Sequence, residues 1–300
     1  MQNIGYCCIS LVLEKQGIST NRKMIKRTFN EKGLSYVGQL AYDNLCDLLT
    51  TLRWNVENGI RVYRVTSNLF PWMSEYQFEQ LPNFHQISQK LNEIGQYILE
   101  NGLRVSFHPG QFNVLCSRRD EVVAASIVDL DQHARIFTLM GLPSTHSFPI
   151  NIHIGAAYDN KTECLEKFCL NFSRLSQDAQ NRLVVENDDK VSQYSVRDLY
   201  DGIFLKTGIP ITFDYLHHSI HPDGLNEEDA IKLCMSTWKD AVPLFHYSDS
   251  KKKFEEPSSV ERAHADYIYQ RINQYGLTFD IELESKCKDL SVLKYREDFK

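Results

Sequence analysis

The chain has 300 residues, of which 42% are hydrophobic and 24% are charged. It contains no apolar run near 20 residues and no basic segment leading into an apolar one, so we expect neither a membrane span nor a signal peptide, and the expected location is the cytoplasm. A net charge of -6 argues against a protein held on nucleic acid by bulk charge alone. Its eight cysteines form no Cys-x-x-Cys pair, which indicates small core residues rather than a disulfide framework.

Short apolar runs alternate with longer segments of helical period along the whole chain. Strands are predicted at 4–8, 61–66, 104–107, 149–154, 183–185, 209–213, 242–246 and 278–281. Helices are predicted at 40–58, 87–101, 121–140, 162–178, 196–206, 227–238 and 263–275. Continuous apolar runs are typical of parallel strands buried on both faces, joined by right-handed helical crossovers. Eight such units without a linker predict one α/β domain over residues 1–300, a (β/α)8 TIM barrel.

The ends of the predicted strands carry side chains that bind metal ions, and in such barrels the chemistry lies at the C-terminal ends of the strands. The predicted ligands are His108, His153, Glu186, Asp214, His217, His246, His264 and Glu282. A single Asp-x-x-His, as at 214–217, is more often a cap or a satisfied polar pair. The whole set is poorly explained by capping, because so many carboxylates and imidazoles would repel one another or stay unpaired. Divalent cations resolve that conflict.

Histidine, glutamate and aspartate without a thiolate cluster suit Mn²⁺ or Zn²⁺. Two or three ions about 3.5–4 Å apart are a familiar arrangement for phosphodiester hydrolysis. Glu186 lies near the middle of the set and is predicted to bridge two ions. The predicted catalytic residues are Glu186, His108, His153, His217 and His246.

Gln111 and Phe112 follow a Pro-Gly pair, and such a turn at the barrel rim could fill the gap left by an extruded base. The alternative is an aromatic ring packed on a neighbouring helix. Cations at the rim could contact phosphates, although each could equally be an ordinary solvated surface charge. The predicted DNA-backbone residues are Arg22, Lys23, Arg118 and Arg119, with the lysine run at 251–253 as a further candidate.

Several stretches together resemble the UV damage endonuclease family, which is related in fold to endonuclease IV. They are Tyr6, residues 20–22, 108–111, 153–158, 186–188 and 214–218, and Glu282, in order over about residues 4–288. The resemblance implies an often Mn²⁺-loaded enzyme that nicks DNA immediately 5′ to a UV photoproduct or other lesion. The products would be a 3′-hydroxyl and a 5′-phosphate.

The resemblance also implies roles for individual residues. Three ions would be held by His108, His153 and Glu186, by Glu186, Asp214, His246 and Glu282, and by His217 and His264. Tyr6 would line the pocket for the flipped lesion, although it could be ordinary core packing, while Gln111 and Phe112 would wedge into the duplex. The expected partner is damaged double-stranded DNA, bound by a monomer that is nucleoid-associated while on DNA.

Two positions depart from the family pattern. Asn68 stands where the family often has a histidine after strand two, and Leu244 stands where it tends to have a lysine that can be carboxylated. The number of ions therefore stays open between two and three. The alternative functions are an abasic-site endonuclease, a metal-dependent sugar isomerase or epimerase on the same barrel, and a catalytically inactive damage-binding protein.

Overall fold

A computed structural model describes residues 3–239 and 241–299 of the chain. Its eight strands are β1 Ile4–Cys7, β2 Val62–Val65, β3 Arg104–Phe107, β4 Ile150–Ile152, β5 Leu183–Glu186, β6 Ile211–Thr212, β7 Leu244–Tyr247 and β8 Asp280–Leu283. They form one parallel sheet in the order β6-β5-β4-β3-β2-β1-β8-β7. The predicted TIM barrel is confirmed.

The two ends of this sheet meet through very little backbone pairing. Between β6 and β7 there is one parallel bridge, from Asp214 to His246. The His246 amide also donates to the carbonyl of Phe213 at 2.9 Å. The barrel therefore closes at two residues that the sequence predicts as metal ligands.

Helices surround the sheet. They are α1 Leu11–Glu14, α2 Lys26–Glu57, α3 Phe84–Glu100, α4 Asp120–Leu139, α5 Lys161–Phe172, α6 Gln177–Arg182, α7 Val196–Leu199, α8 Leu205–Thr207, α9 Tyr215–Ile220, α10 Glu227–Ser236, α11 Lys251–Phe254 and α12 Lys288–Asp298. A π-helical turn at Tyr200–Phe204 joins α7 to α8. Amphipathic spacing explains their packing, as in α3, where Ile87, Leu91, Ile94 and Ile98 are buried on one face. Among the described residues, every helix is too short or too polar to cross a membrane.

Side chains alternate between the inside and the outside of the barrel along each strand, because the side-chain period of a strand is two. Arg64 of β2 and Ser106 of β3 both reach Glu282 of β8, so these three side chains point into the barrel. Tyr63, next to Arg64, points outward to the helices and packs edge-on against Tyr6 with 5.1 Å between ring centroids. The interior is thus polar at the level of the predicted metal ligands.

The helix predicted at 263–275 is wrong. This segment follows the barrel rim as loops, because side chains and backbone of the preceding loop bind its amide groups. The Asp249 carboxylate accepts from the Tyr269 amide at 2.7 Å, and the Asp249 carbonyl accepts from the Ala265 amide at 2.8 Å. Ile268 and Ile272 have helical spacing but are buried without forming a helix.

Candidate metal centre

Glu186 is the centre of a ring of histidines delivered by different strands. Its carboxylate is buried at the end of β5. His108 Nε2 and His246 Nδ1 both lie 3.0 Å from its Oε2, while His217 Nδ1 lies 3.3 Å from its Oε1. His153 Nε2 is 3.8 Å from Oε2. Glu186 thus lies where the histidines converge, and its bridging of two ions stays a prediction.

Backbone carbonyl oxygens orient two of these rings, and a carboxylate lies beside a third. A backbone carbonyl can only accept, so it selects a protonated nitrogen: His217 Nδ1 lies 2.9 Å from the Asn187 carbonyl and His108 Nδ1 3.3 Å from that of Pro109. His153 Nδ1 lies 3.0 Å from the carboxylate of Asp188. Metal-binding histidines commonly engage their second nitrogen in this way, which in His108 leaves Nε2, the atom 3.0 Å from Glu186, as the ligand atom. Asp188 was missed in the sequence analysis as an orienting partner of His153.

His246 has the opposite orientation. Its Nε2 lies 2.7 Å from a guanidinium nitrogen of Arg64 and 3.4 Å from Glu282 Oε2, so its Nδ1 faces the other ligands. Nδ1 lies 3.0 Å from Glu186 and 3.6 Å from Glu284 Oε1. His246 thus offers one nitrogen to the centre of the cluster.

At the eighth strand the structure places a different carboxylate among the candidate ligands. Strand β8 ends at Leu283 rather than at residue 281, so Glu282 lies within the strand. Its carboxylate accepts from Arg64 Nε at 2.8 Å and from the Ser106 hydroxyl, and it belongs to none of the candidate ligand groups found in the described residues. Glu284, two residues later on the same face, lies beside His246 and was missed by the sequence analysis.

Within residues 3–239 and 241–299, three groups of side chains could each hold a cation. Each group brings three ligand atoms within 4.8 Å of one another: His108, Glu186 and His246; His153, Glu186 and His217; and Asp214, His246 and Glu284. Glu186 Oε1, Asp214 Oδ2 and His246 Nδ1 are buried in this part of the chain without a hydrogen-bond partner. Unpaired buried polar atoms are costly, and atoms that face one another without hydrogen-bond geometry suit a shared cation. The residues present therefore fit a divalent metal centre.

The charges of this cluster are strongly coupled. Burial alone would raise the pKa of Glu186, but the histidines around it, led by His246 and His153, hold it well below its ordinary value. Burial would lower the pKa of His246, but carboxylates, led by Glu186, raise it to about 10. Burial likewise opposes charge on His217, whose pKa is raised well above its ordinary value, chiefly by Asp214. Protons on these histidines neutralise the carboxylates that a cation would otherwise neutralise.

His264 lies outside the three candidate ligand groups. So do Asn68 and Leu244, the two positions that depart from the family pattern. His264 Nδ1 is 2.9 Å from the Glu284 carbonyl, and its ring centroid lies 6.5 Å from that of His217. Leu244 is a buried strand residue. The Asn68 carbonyl accepts from Asn44 at 3.4 Å, and Asn68 lines a cavity of about 520 Å³ beside His108.

An open cleft of about 510 Å³ is lined by three of the predicted metal ligands. His153, His217 and His264 line its floor. Gln111 and Phe112 line one side, and the Phe112 side chain is 83% exposed. The alternative in which Phe112 packs on a neighbouring helix is therefore not what the structure shows.

Tyr6 is not in this cleft. Its side chain is fully buried, and its hydroxyl donates to Asn55 of α2 at 2.8 Å. The lesion-pocket role assigned to Tyr6 is wrong for this structure, because the alternation of β1 turns Tyr6 outward to the helix layer. Core packing, the alternative interpretation, describes it.

The predicted DNA-backbone residues all lie on loops that follow β1 or β3, at the same rim as the cleft. Lys23 is exposed, whereas Arg22 is paired with Asp47 at 2.7 Å. Arg118 lies over the ring of Tyr158, 4.6 Å from its centroid, and 3.3 Å from Asp159. Arg119, 3.8 Å from Glu121, is largely exposed. Arg262, which the sequence analysis missed, also lines the cleft, opposite Asp189 at 3.7 Å.

Comparison with known proteins gives the same family as the sequence motifs. The chain is 32% identical to the UV DNA damage endonuclease of Clostridium perfringens, with 97% of this chain and 69% of that protein covered. It is similar to the crystal structure of SacUVDE, with a TM-score of 0.86, 34% identity and coverage of 99% and 98%. Endonuclease IV from Thermus thermophilus shares the fold, at a TM-score of 0.59 and 12% identity over 98% of each chain. The family model described as UV-endonuclease UvdE matches residues 2–300, and the chain belongs to this family.

Proposed function

We propose that this protein is a metal-dependent DNA repair endonuclease that nicks the backbone immediately 5′ to UV photoproducts and other lesions. The products would be a 3′-hydroxyl and a 5′-phosphate. One observation carries the proposal: three candidate ligand groups are linked through Glu186 and His246, and two of their members, His153 and His217, line an open cleft beside the exposed Phe112. Membership of the UV-endonuclease UvdE family supports the choice of substrate.

The shared ligands favour two cations rather than three. Glu186 has two carboxylate oxygens, and these face different histidines, so it can serve two groups at once. His246 has one nitrogen available, because its Nε2 faces Arg64 and Glu282. The group with His108 and the group with Asp214 and Glu284 therefore compete for the same atom. We propose Mn²⁺ as the metal, with Zn²⁺ as the alternative.

Bound divalent ions would lower the pKa of an attacking water and stabilise the leaving 3′-oxygen. Backbone carbonyls orient His108 and His217, and the Asp188 carboxylate lies beside His153, so these rings are positioned before substrate arrives.

The rim supplies the contacts to DNA. Gln111 and Phe112 would enter the duplex beside the lesion and replace the stacking of an extruded base. Lys23, Arg118 and Arg119 would contact phosphates on the same side of the barrel, with Arg22 as a further contact once it leaves Asp47. Bulky lesions lower the cost of unstacking, so selectivity would come from deformability of the duplex rather than from base-edge contacts.

An abasic-site endonuclease is the second candidate, because the same cleft would accept a nucleotide without a base. A sugar isomerase or epimerase would have no use for an exposed Gln-Phe turn at the mouth of an open cleft. A catalytically inactive binding protein would not need the complete set of histidine and carboxylate ligands.

The test is a nicking assay with Mn²⁺ on duplexes that carry one photoproduct, one abasic site or no lesion. We expect cleavage 5′ to the photoproduct in the wild type. Glu186→Gln removes the shared carboxylate, so we expect at least about 100-fold slower nicking and reduced metal binding. Glu228→Gln, which changes a half-buried acid paired with Lys232 on α10, is the matched control and should retain wild-type activity.

Equal cutting of damaged and undamaged duplex would contradict the lesion-specific proposal. Preference for the abasic duplex would favour the second candidate. Full activity of Glu186→Gln would refute the metal-centred mechanism.

A further inference from the structure

Gln111 and Phe112 are exposed on a turn that a buried residue anchors. Asn113, the next residue, is buried, and its backbone amide donates to the Gly110 carbonyl at 3.1 Å. Its side-chain Nδ2 donates to the same carbonyl at 3.2 Å and to Asp129 Oδ2 at 2.8 Å. One amide group thus closes the turn and ties it to α4.

Asp129 is itself held in place from the barrel core. His133 Nδ1 lies 2.8 Å from the Asp129 carbonyl and 3.4 Å from its Oδ2. The His133 ring is buried edge-on against Phe107 of β3, with 5.0 Å between centroids. A continuous set of contacts therefore runs from the strand that delivers His108 to the turn that follows it.

The backbone beyond the turn is also fixed. The Val114 amide donates to the Ser126 hydroxyl of α4 at 2.9 Å, and Asn171 Nδ2 of α5 donates to the Leu115 carbonyl at 2.8 Å. Gln111 and Phe112 therefore project from a stretch of the loop that is anchored on its C-terminal side. Their orientation depends on how Asn113 closes the turn.

The turn separates two spaces at the mouth of the barrel. Gly110, Phe112 and Asn113 line both the cleft of about 510 Å³ over the metal ligands and the cavity of about 520 Å³ beside His108. A small displacement of the turn would change both spaces. A side chain that must enter a duplex gains affinity when it is ordered beforehand, because less conformational entropy is lost on binding.

We propose that Asn113 and Asp129 are positioning residues that hold Gln111 and Phe112 in the orientation needed to enter damaged DNA, and that they thereby set lesion preference. This inference rests on the proposed function. Neither residue belongs to the three candidate ligand groups, so the effect should be separable from metal binding.

The test uses the full chain and a duplex with 2-aminopurine opposite a single photoproduct, with binding and fluorescence measured in Ca²⁺ and nicking measured in Mn²⁺. For Asn113→Ala and Asp129→Leu we expect about 10-fold higher KM for the damaged duplex, with kcat and bound Mn²⁺ within about twofold of wild type. The rise in 2-aminopurine fluorescence on binding should fall by about half or more. The double variant should be little worse than either single variant, because both remove one interaction.

Two controls separate positioning from general destabilisation. In Asp129→Asn the amide oxygen still accepts from Asn113, so this variant should restore near-wild-type KM and fluorescence. Asp131→Leu alters another acid of the same helix, which accepts from the Ser176 amide at 2.9 Å away from the turn. It should leave both readouts unchanged.

Unchanged KM and fluorescence in both disrupting variants would overturn the inference. So would a matching loss in Asp131→Leu, or loss of bound metal in Asn113→Ala, since either would mark a merely structural role. If the wild type does not nick damaged DNA, the proposed function fails, while the fluorescence comparison in Ca²⁺ still decides whether these residues position the turn.

Discussion

At the residue scale, Glu282 and Glu284, the two glutamates near the end of β8, have different contacts. Glu282 pairs inside the barrel with Arg64 at 2.8 Å, whereas Glu284 has one oxygen 2.5 Å from Arg64 and 3.6 Å from His246 Nδ1. Only Glu284 belongs to a candidate ligand group in the described part of the chain. One buried guanidinium thus orders a structural acid and a candidate ligand acid together.

Substitution of these glutamates should separate metal affinity from stability. We expect Glu284→Gln to weaken Mn²⁺ binding by at least about 10-fold, because it removes a charged ligand. Glu282→Gln should instead lower the free energy of unfolding by about 3 kcal/mol, because it leaves Arg64 with less compensation in a buried site. Metal titration and urea unfolding of both variants provide the measurements, and the reverse assignment of the two effects would refute the division.

Prediction of the site residues from the sequence required knowing where each strand ends. Parallel strands deliver their ends to one edge, so His108, Glu186 and His246 could be grouped from the order of apolar runs alone. Glu284 could not, because the apolar run after residue 278 was ended two residues early. The partners of Arg64 lie more than 180 positions away along the chain, where no local pattern links them.

At the element scale, close approach between helices places demands on individual positions. Helix α3 passes the C-terminal end of α4 at Gly95, where an added Cβ would lie 1.6 Å from the Met140 carbonyl oxygen. That oxygen is backbone and cannot move aside as a flexible side chain would. The contact explains a glycine inside a helix that otherwise has strong amphipathic spacing.

Replacement of Gly95 should therefore destabilise the protein although alanine favours helices. We expect Gly95→Ala to cost about 2 kcal/mol in the free energy of unfolding, since overpacking outweighs the gain in helix propensity. Gln86→Ala, at an exposed position of the same helix, should change stability by less than about 0.5 kcal/mol. Urea denaturation compares the two, and equal stabilities would show that the helices separate without cost.

The loop between α11 and β8 shows why helical spacing alone was insufficient. Ile268 and Ile272 satisfy the spacing of a buried helical face. However, the carboxylate of Asp249 binds the amide of Tyr269, and the bridge between Ser250 and His264 holds the start of the segment in extended form. These contacts come from outside the segment, so its own sequence did not reveal them.

At the scale of the whole molecule, metal binding should be linked to protons and to stability. The pKa of His246 is raised from 6.5 to about 10, and that of Glu282 is lowered from 4.5 to about 2. A raised histidine pKa contributes stability that is fully present below pH 6.5 and lost as the pH rises through about 10. A lowered carboxyl pKa contributes stability present above pH 4.5 and lost as the pH falls through about 2.

We therefore expect Mn²⁺ to displace protons when it binds at pH 7.5, because a coordinating imidazole must be neutral. Its apparent affinity should rise with pH towards 10. Calorimetry in buffers of different ionisation enthalpy measures the number of protons released. Release of none would contradict the charged state inferred for His246.

The barrel closes between β6 and β7 through a bridge between Asp214 and His246, and both residues are candidate metal ligands. Every other pair of neighbouring strands is joined within the sheet, whereas β6 and β7 meet at one bridge between two candidate ligands. A cation held by Asp214, His246 and Glu284 would act as a clasp across this gap. Metal binding would then hold β6 and β7 together. The ion that the reaction needs would thus also complete the closure of the barrel.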